Sequence, residues 1–171
     1  RHEFPQPHVS DVEVSDIPSH LTVFLYDCLN GLNPQEMLGN LSLMTSPQPI
    51  IVWFRDDLRL SDHPALHGAA KAGAPVVCLH VLDEASPARA LGGAARWWLA
   101  QSLRALQQSL QAAGAQLVLR KGEAAKTIAS VAREADASAV YWNDIPQAPH
   151  RAAADRAKAA LAAIGVDAQS F

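Results

Sequence analysis

Short apolar runs alternate with longer segments of helical periodicity from Ile50 to Phe171, and this alternation constrains the fold more than any other feature. The runs are rich in valine, leucine and isoleucine and are bounded by glycine, proline or charged residues, which is typical of buried strands. We predict strands at residues 50–54, 75–82, 116–120, 139–142 and 166–171. We predict helices at residues 64–72, 94–113, 124–135 and 150–163.

Strands that alternate regularly with helices predict an α/β fold with a parallel sheet. Crossovers between parallel strands are right-handed, which leaves only a few possible strand orders. We therefore predict a doubly wound (Rossmann-like) five-stranded parallel sheet with helices on both faces and the strand order 3-2-1-4-5. The strand order reverses between the first and fourth strands, which are neighbours in the sheet. A crevice should therefore open between their carboxyl ends.

Charged residues gather where the predicted strands end. Arg55, Asp56 and Asp57 follow the first strand, Asp83 follows the second, and Asn143-Asp144 follows the fourth. These positions belong to the edge of the sheet at which α/β proteins bind ligands. Residues 55–60 contain no glycine, so the sequence lacks the usual loop for a dinucleotide pyrophosphate.

The helix after the first strand should begin close to this charged segment. Ser61 or Asp62 is a suitable N-cap, and Pro64 suits the first helical turn. In the long second helix, Trp98 and Leu99 continue at intervals of three and four into Leu103, Leu106 and Leu110, which predicts one apolar face.

Three segments resemble the DNA photolyase/cryptochrome family. The segment WFRDDLRLSDHPAL, residues 53–66, resembles the opening motif of that family, although His63 stands where most members have asparagine. The segment GGAARWWL, residues 92–99, resembles its GxxRWWL segment, and Tyr141-Trp142-Asn143 resembles its fourth-strand signature. The resemblance covers residues 45–171 and implies the amino-terminal α/β domain, which binds a light-harvesting antenna chromophore.

The resemblance also implies which residues contact the antenna. In members with a deazaflavin, an arginine and an acid that match Arg96 and Asp144 line the pocket. Asp57, Arg55 and His80 are further candidates for cofactor binding. The glutamate used by folate-binding members has no clear counterpart, since Gln147 or His150 is nearest. Deazaflavin, folate and flavin therefore all remain possible. Interdomain or core packing is the expected role of the two adjacent tryptophans in GGAARWWL.

The family resemblance implies a function for the whole protein. Photolyases carry FAD in a larger helical domain that binds damaged DNA, and reduced FAD donates an electron in light to split a pyrimidine dimer. The sequence thus predicts the antenna domain of a monomeric deoxyribodipyrimidine photolyase, inactive by itself. One alternative is a cryptochrome, a blue-light receptor. Another is a stand-alone nucleotide-binding module, which would need a glycine-rich phosphate loop.

Composition narrows the remaining possibilities. The net charge of −3 gives no overall basic field for nucleic acid. The presence of only two cysteines argues against a disulfide scaffold and favours a reduced, cytoplasmic protein. No apolar run is long enough to span a membrane, and the seven histidines show no metal-binding spacing. Residues 1–44 hold several prolines and no sustained periodicity, so we predict a poorly ordered extension foreign to the family before the domain at 45–171.

Overall fold

The computed structural model describes residues 47–83 and 91–171. The predicted extension at residues 1–44 lies outside this part, as does most of the loop after the second strand. The strands are β1 (Ile50–Phe54), β2 (Val76–Leu82), β3 (Leu117–Lys121), β4 (Ala139–Trp142) and β5 (Asp167–Ser170). The helices are α1 (Pro64–Lys71), α2 (Gly93–Ala112), α3 (Ala124–Glu134) and α4 (Ala148–Ala162).

The five strands form one parallel sheet in the order β3-β2-β1-β4-β5, which confirms the predicted order. Strand β1 lies at the centre, where Ile50 pairs with Val76 of β2 on one side and with Ala139 of β4 on the other. The direction of winding changes between β1 and β4. The carboxyl ends of these two strands therefore flank the crevice that doubly wound sheets use for ligands.

Apolar side chains cover both faces of the sheet. All five residues of β1 are buried, with Val52 and Phe54 in the layer beneath α1 and α2, and Ile51 and Trp53 in the layer beneath α3 and α4. Burial of one large apolar side chain contributes about 1.5–3 kcal/mol to stability. A continuous apolar run without alternation therefore forms the middle of the sheet, since a strand covered by helices needs apolar residues on both sides.

The structure corrects the predicted cap of α1. His63, and neither Ser61 nor Asp62, is the N-cap, and its ring Nδ1 accepts a hydrogen bond of 3.1 Å from the backbone N–H of Leu66. His63 directly precedes Pro64 at the start of the helix, so its side chain reaches the free N–H groups of the first turn. Helix α4 begins at Ala148, two residues before the predicted start, because Pro149 is accommodated in its first turn.

The structure also corrects the predicted apolar face of α2. Leu103, Leu106 and Leu110 are buried, but the Trp98 side chain is 65 % exposed. Every residue from Gly93 to Trp98 is exposed, so the first turns of α2 make little contact with the sheet. The interval pattern alone could not show where along the helix contact with the sheet begins.

Two further observations limit what the described residues can do. No helix among them combines the length and the apolar character needed to cross a membrane. Cys78 is a free thiol within β2, and burial raises its pKa to about 12. Because the thiolate is the reactive form, this cysteine is chemically inert and serves as a core residue.

Gly122 provides a test of the turn between β3 and α3. Its φ of 142° is a conformation that residues with a side chain rarely adopt, and an added Cβ would lie 2.9 Å from Thr127 Oγ1. We expect Gly122→Ala to lower the free energy of unfolding by about 1–3 kcal/mol in urea denaturation. Gly92→Ala is the control, since Gly92 has a φ of −69° and no heavy atom of the described residues lies within 4 Å of an added Cβ. Equal effects of the two substitutions would contradict this account.

Candidate ligand site at the carboxyl edge of the sheet

The Asp57 carboxylate is the centre of the polar edge that follows β1. Its Oδ1 accepts a hydrogen bond of 3.0 Å from the backbone N–H of Arg55. Its Oδ2 accepts a hydrogen bond from the side-chain amide of Asn143, at the end of β4. His63 Nε2 approaches the same Oδ2 to 2.9 Å, without the alignment of a good hydrogen bond. Both carboxylate oxygens are therefore engaged within the chain.

The same group of side chains also holds the start of α1. Asn143 Oδ1 accepts a hydrogen bond of 2.9 Å from the backbone N–H of Ala65. Because His63 Nδ1 accepts a hydrogen bond, the neutral ring carries its proton on Nε2, which faces Asp57. We call Asp57, His63 and Asn143 the switch-point cluster. The cluster joins the carboxyl ends of β1 and β4 to the amino end of α1.

The cluster determines the charge state of Asp57. Burial by itself would raise the pKa of this carboxyl group. The contacts with His63, with the backbone N–H of Arg55 and with Asn143 act in the opposite direction and prevail, so the pKa of Asp57 lies well below its ordinary value. Asp57 is thus ionised at neutral pH, and the cluster is held by a charged acceptor, which forms stronger hydrogen bonds than a neutral one.

Arg55 extends to the opposite face of the sheet. Its guanidinium carbon lies 4.7 Å from the centre of the Trp53 ring, and its Nη2 donates a hydrogen bond of 2.8 Å to the backbone carbonyl of His150 in the first turn of α4. The residue is only 6 % exposed. Burial lowers the pKa of Arg55, while Asp56, Asp57 and Asp144 raise it. Arg55 therefore connects β1 to α4 as an arginine with little access to solvent.

His80 lies next to this charged edge on the neighbouring strand. Its Nδ1 is 3.1 Å from the carbonyl oxygen of Phe54, so Nδ1 must carry the proton that it donates. Burial lowers the pKa of His80, and the contact with Phe54 and the charges of Asp56 and Asp57 only partly oppose this. His80 is therefore a neutral ring with a fixed tautomer at neutral pH.

The five residues that we predicted as antenna contacts differ in position. Arg55, Asp57 and His80 lie at the end of β1 and beside it, and Asp144, an exposed residue after β4, contributes to the field at Arg55. These four belong to one edge of the sheet. Arg96 is exposed in the first turn of α2, where its backbone N–H donates to the carbonyl of Gly92. Whether any of the five contacts an antenna stays a prediction.

The polar edge presents several buried N–H donors. Within the described ranges, no three histidine, cysteine, aspartate or glutamate side chains group as metal ligands. Three buried side-chain donors, Arg55 Nη1, His63 Nε2 and Trp142 Nε1, make no hydrogen bond in the described part of the chain. Of these, His63 Nε2 lies 2.9 Å from Asp57 Oδ2. Sequence reasoning missed the structural role of His63, although its place before Pro64 was a usable signal.

The switch-point cluster predicts a pH-dependent loss of stability. Asp57→Ala leaves the amide of Asn143 and the backbone N–H of Arg55 without their acceptor and removes the carboxylate beside the His63 ring. We therefore expect a loss of about 2 kcal/mol in the free energy of unfolding at pH 7. Because the pKa of Asp57 is lowered in the folded state, its contribution is complete above about pH 4 and is lost as the pH falls through the folded pKa.

Urea denaturation between pH 3 and pH 7 would measure this effect as the difference between wild type and variant. Asp56→Ala is the matched control, because the Asp56 side chain is 70 % exposed and should change the unfolding free energy by less than about 0.5 kcal/mol. A difference for Asp57→Ala that stayed constant down to pH 3 would contradict the proposed charge state.

Known proteins share both the sequence and the fold of this chain. The DNA photolyase family model matches residues 50–171. The deoxyribodipyrimidine photo-lyase of Agrobacterium fabrum is 46 % identical over 103 residues, which are 60 % of this chain and 21 % of that protein. Cryptochrome-1 of Arabidopsis thaliana is 35 % identical over 137 residues, which are 79 % of this chain and 20 % of that protein.

A solved structure agrees with these sequence matches. The crystal structure of a bacterial class III photolyase from Agrobacterium tumefaciens superposes with a TM-score of 0.68 and 39 % sequence identity, covering 79 % of this chain and 27 % of that one. The chain thus spans about a fifth of the length of the two curated relatives. Because the family model covers well over half of its residues, this chain belongs to the DNA photolyase family.

Proposed function

We propose that this chain is the antenna-binding α/β domain of a deoxyribodipyrimidine photolyase, which repairs pyrimidine dimers in DNA with light. The observation that carries the proposal is the 46 % identity to the Agrobacterium photo-lyase, within the region that the family model matches. The polar edge between β1 and β4 supports it, because ligands of doubly wound sheets bind there.

The repair reaction belongs to the whole protein. FAD, when bound by the helical domain that the family resemblance implies, supplies the light-driven electron donation that splits the cyclobutane bonds of the dimer. The proposed contribution of this domain is therefore to bind and orient a second chromophore, and the domain alone is inactive in repair.

We expect an aromatic chromophore with polar substituents, bound by residues of the edge together with Arg96 of α2. Arg96 provides an exposed cation at the start of α2, and Asp144 an exposed carboxylate after β4. These two are the proposed direct contacts. The His80 ring can line the site as a neutral group, since its Nδ1 proton is already donated to Phe54. The proposed part of Asp57 is indirect, because both of its oxygens are engaged within the chain.

The residues at the start of α4 bear on which chromophore the domain binds. Gln147 is exposed at the N-cap of α4, and the His150 ring is 3.7 Å from Asp56. Neither supplies the carboxylate that folate-binding members use, so we favour a deazaflavin or a flavin over a folate. A bound antenna would supply absorption of near-ultraviolet and blue light.

Exposed aromatic side chains support a further domain as a partner. Trp97 and Trp98 are 42 % and 65 % exposed, and their rings meet edge to face with centres 5.1 Å apart. Apolar surface of this kind commonly marks a protein contact. We infer that these rings pack against the helical domain, which would contact the damaged DNA. A monomeric, cytoplasmic parent protein remains our proposal.

A cryptochrome is the second candidate function. The match to Arabidopsis cryptochrome-1 extends over 79 % of this chain, more than the 60 % covered by the match to the photo-lyase, although at lower identity. Both kinds of protein share this domain, so the domain alone does not separate a repair enzyme from a light receptor.

A repair assay separates the two functions. We expect the full-length protein, containing FAD, to restore normal bases in DNA that carries cyclobutane pyrimidine dimers, under blue light and not in the dark. The 171-residue chain alone should leave the dimers intact under the same light. A full-length protein that binds FAD and responds to light without repairing dimers would contradict the photolyase assignment and support the cryptochrome.

A further inference from the structure

Arg55 has an unsatisfied donor in a nearly inaccessible position. The residue is 6 % exposed, and its guanidinium lies against the Trp53 ring. Its Nη2 donates a hydrogen bond to the carbonyl of His150. The other terminal nitrogen, Nη1, is buried and has no hydrogen-bond partner among the residues that the structure describes. A buried, charged donor without an acceptor is costly, so such a group calls for an explanation.

The neighbouring aspartates do not provide that acceptor. Asp57 is engaged with the switch-point cluster, and Asp56 is 70 % exposed with its carboxylate 3.7 Å from the His150 ring. Asp144 is exposed as well. These three carboxylates contribute to the field at Arg55, but none forms an ion pair with it in the described part of the chain. Arg55 thus lies in the field of three carboxylates, but its Nη1 has no direct acceptor among the described residues.

The amino end of α4 adds to the positive potential beside Arg55. Gln147 makes no side-chain cap, and the first turn of this 15-residue helix contains no acidic residue. The backbone N–H groups of Ala148 and His150 have no acceptor within the helix, since the first turn of an α-helix leaves its donors free, and Pro149 has none to offer. A helix amino end also carries a partial positive charge. Arg55 and this helix end thus both require a negative acceptor.

A second buried donor borders the same indole. Trp142 Nε1 has no hydrogen-bond partner in the described ranges, and its ring packs edge to face on Trp53 with centres 5.8 Å apart. Lys158 Nζ lies 5.5 Å from the centre of the Trp142 ring. Two buried donors without hydrogen-bond partners in the described ranges, Arg55 Nη1 and Trp142 Nε1, therefore lie beside the Trp53 ring.

We propose that Arg55 Nη1 and the amino end of α4 form a subsite for an oxyanion, the phosphate or carboxylate group of a bound ligand. Guanidinium groups and helix amino ends are both preferred partners of such oxygens. The inference deepens the proposed antenna function, because it assigns an anionic end to the ligand of this edge. It depends on that function only for the identity of the ligand.

Titration of the isotopically labelled chain with simple anions tests the subsite directly. Inorganic phosphate and acetate are added separately at constant ionic strength, with chloride as the reference ion. We expect saturable changes in the NMR signals of the Ala148 and His150 amides and of the Arg55 side chain. A stronger response to phosphate assigns a phosphate-bearing ligand, and a stronger response to acetate a carboxylate-bearing one. No saturable change at these groups with either anion overturns the proposal.

Substitutions provide a second measurement. Arg55→Gln should weaken anion binding at least tenfold, whereas Arg59→Gln should leave it unchanged. Arg59 is the matched control because it lies in the same segment with a half-exposed side chain that bonds to the carbonyl of Asp62. If Arg55→Gln does not fold, the signal changes of the wild-type chain decide alone. Equal anion binding by both variants would overturn the proposal.

The same labelled chain separates this proposal from the proposed function. A chain that binds phosphate or acetate at Arg55 but binds no deazaflavin, flavin or folate would retain the subsite and remove the antenna assignment. A chain that binds one of these chromophores without any response of Arg55 and the α4 amides to either anion would retain the antenna and remove the subsite.

Discussion

The structure of the polar edge depends on the hydrogen bonds that the ionised carboxylate of Asp57 accepts. It accepts hydrogen bonds from the backbone N–H of Arg55 and the side-chain amide of Asn143, and it lies beside the His63 ring. Asn143 in turn accepts a hydrogen bond from the N–H of Ala65 at the start of α1. The connections that leave β1 and β4 run to opposite faces of the sheet, so a gap opens between the carboxyl ends of these two strands. One charge bonded across that gap fixes the relative position of β1, β4 and α1 without filling the crevice with apolar side chains.

The two faces of the edge serve different purposes. On the side of α1, the Asp57 carboxylate accepts hydrogen bonds from Arg55 and Asn143, and it lies 2.9 Å from the buried Nε2 of His63. These contacts stabilise the fold and engage the carboxylate. On the side of α4, Arg55 and Trp142 keep buried donors without partners. Native proteins rarely leave such donors unsatisfied, so this second side is where the chain is incomplete without a ligand or an ordered acceptor. The proposed antenna function places a small molecule at this edge, and the buried donors without partners support that proposal.

Local sequence patterns were sufficient for the fold. Strand β1 was predicted with its observed bounds because a continuous apolar run between Pro49 and Arg55 is legible without tertiary information. The strand order followed from the regular alternation and from the handedness of crossovers. The exposure of Trp98 was not predictable in this way, because interval patterns do not show where a helix loses contact with the sheet.

Long-range contacts account for most of what the sequence did not reveal at the site. Arg55 and His150 are 95 positions apart, and Asp57 and Asn143 are 86 apart. The sequence brought their segments to one edge through the predicted topology. It could not distinguish Asp57, whose oxygens are engaged, from Asp56, whose carboxylate faces solvent. That difference depends on which side of the sheet each residue faces after the strand ends.

The central proposal is that this edge holds a light-harvesting chromophore. The most direct test is a fluorescence titration of the 171-residue chain with a deazaflavin, a flavin and a folate in turn. We predict saturable one-to-one binding of at least one of them, weakened at least tenfold by Arg96→Ala and unchanged by Arg104→Ala two turns further along α2. Binding of none of the three, or equal binding by the two variants, would contradict the claim.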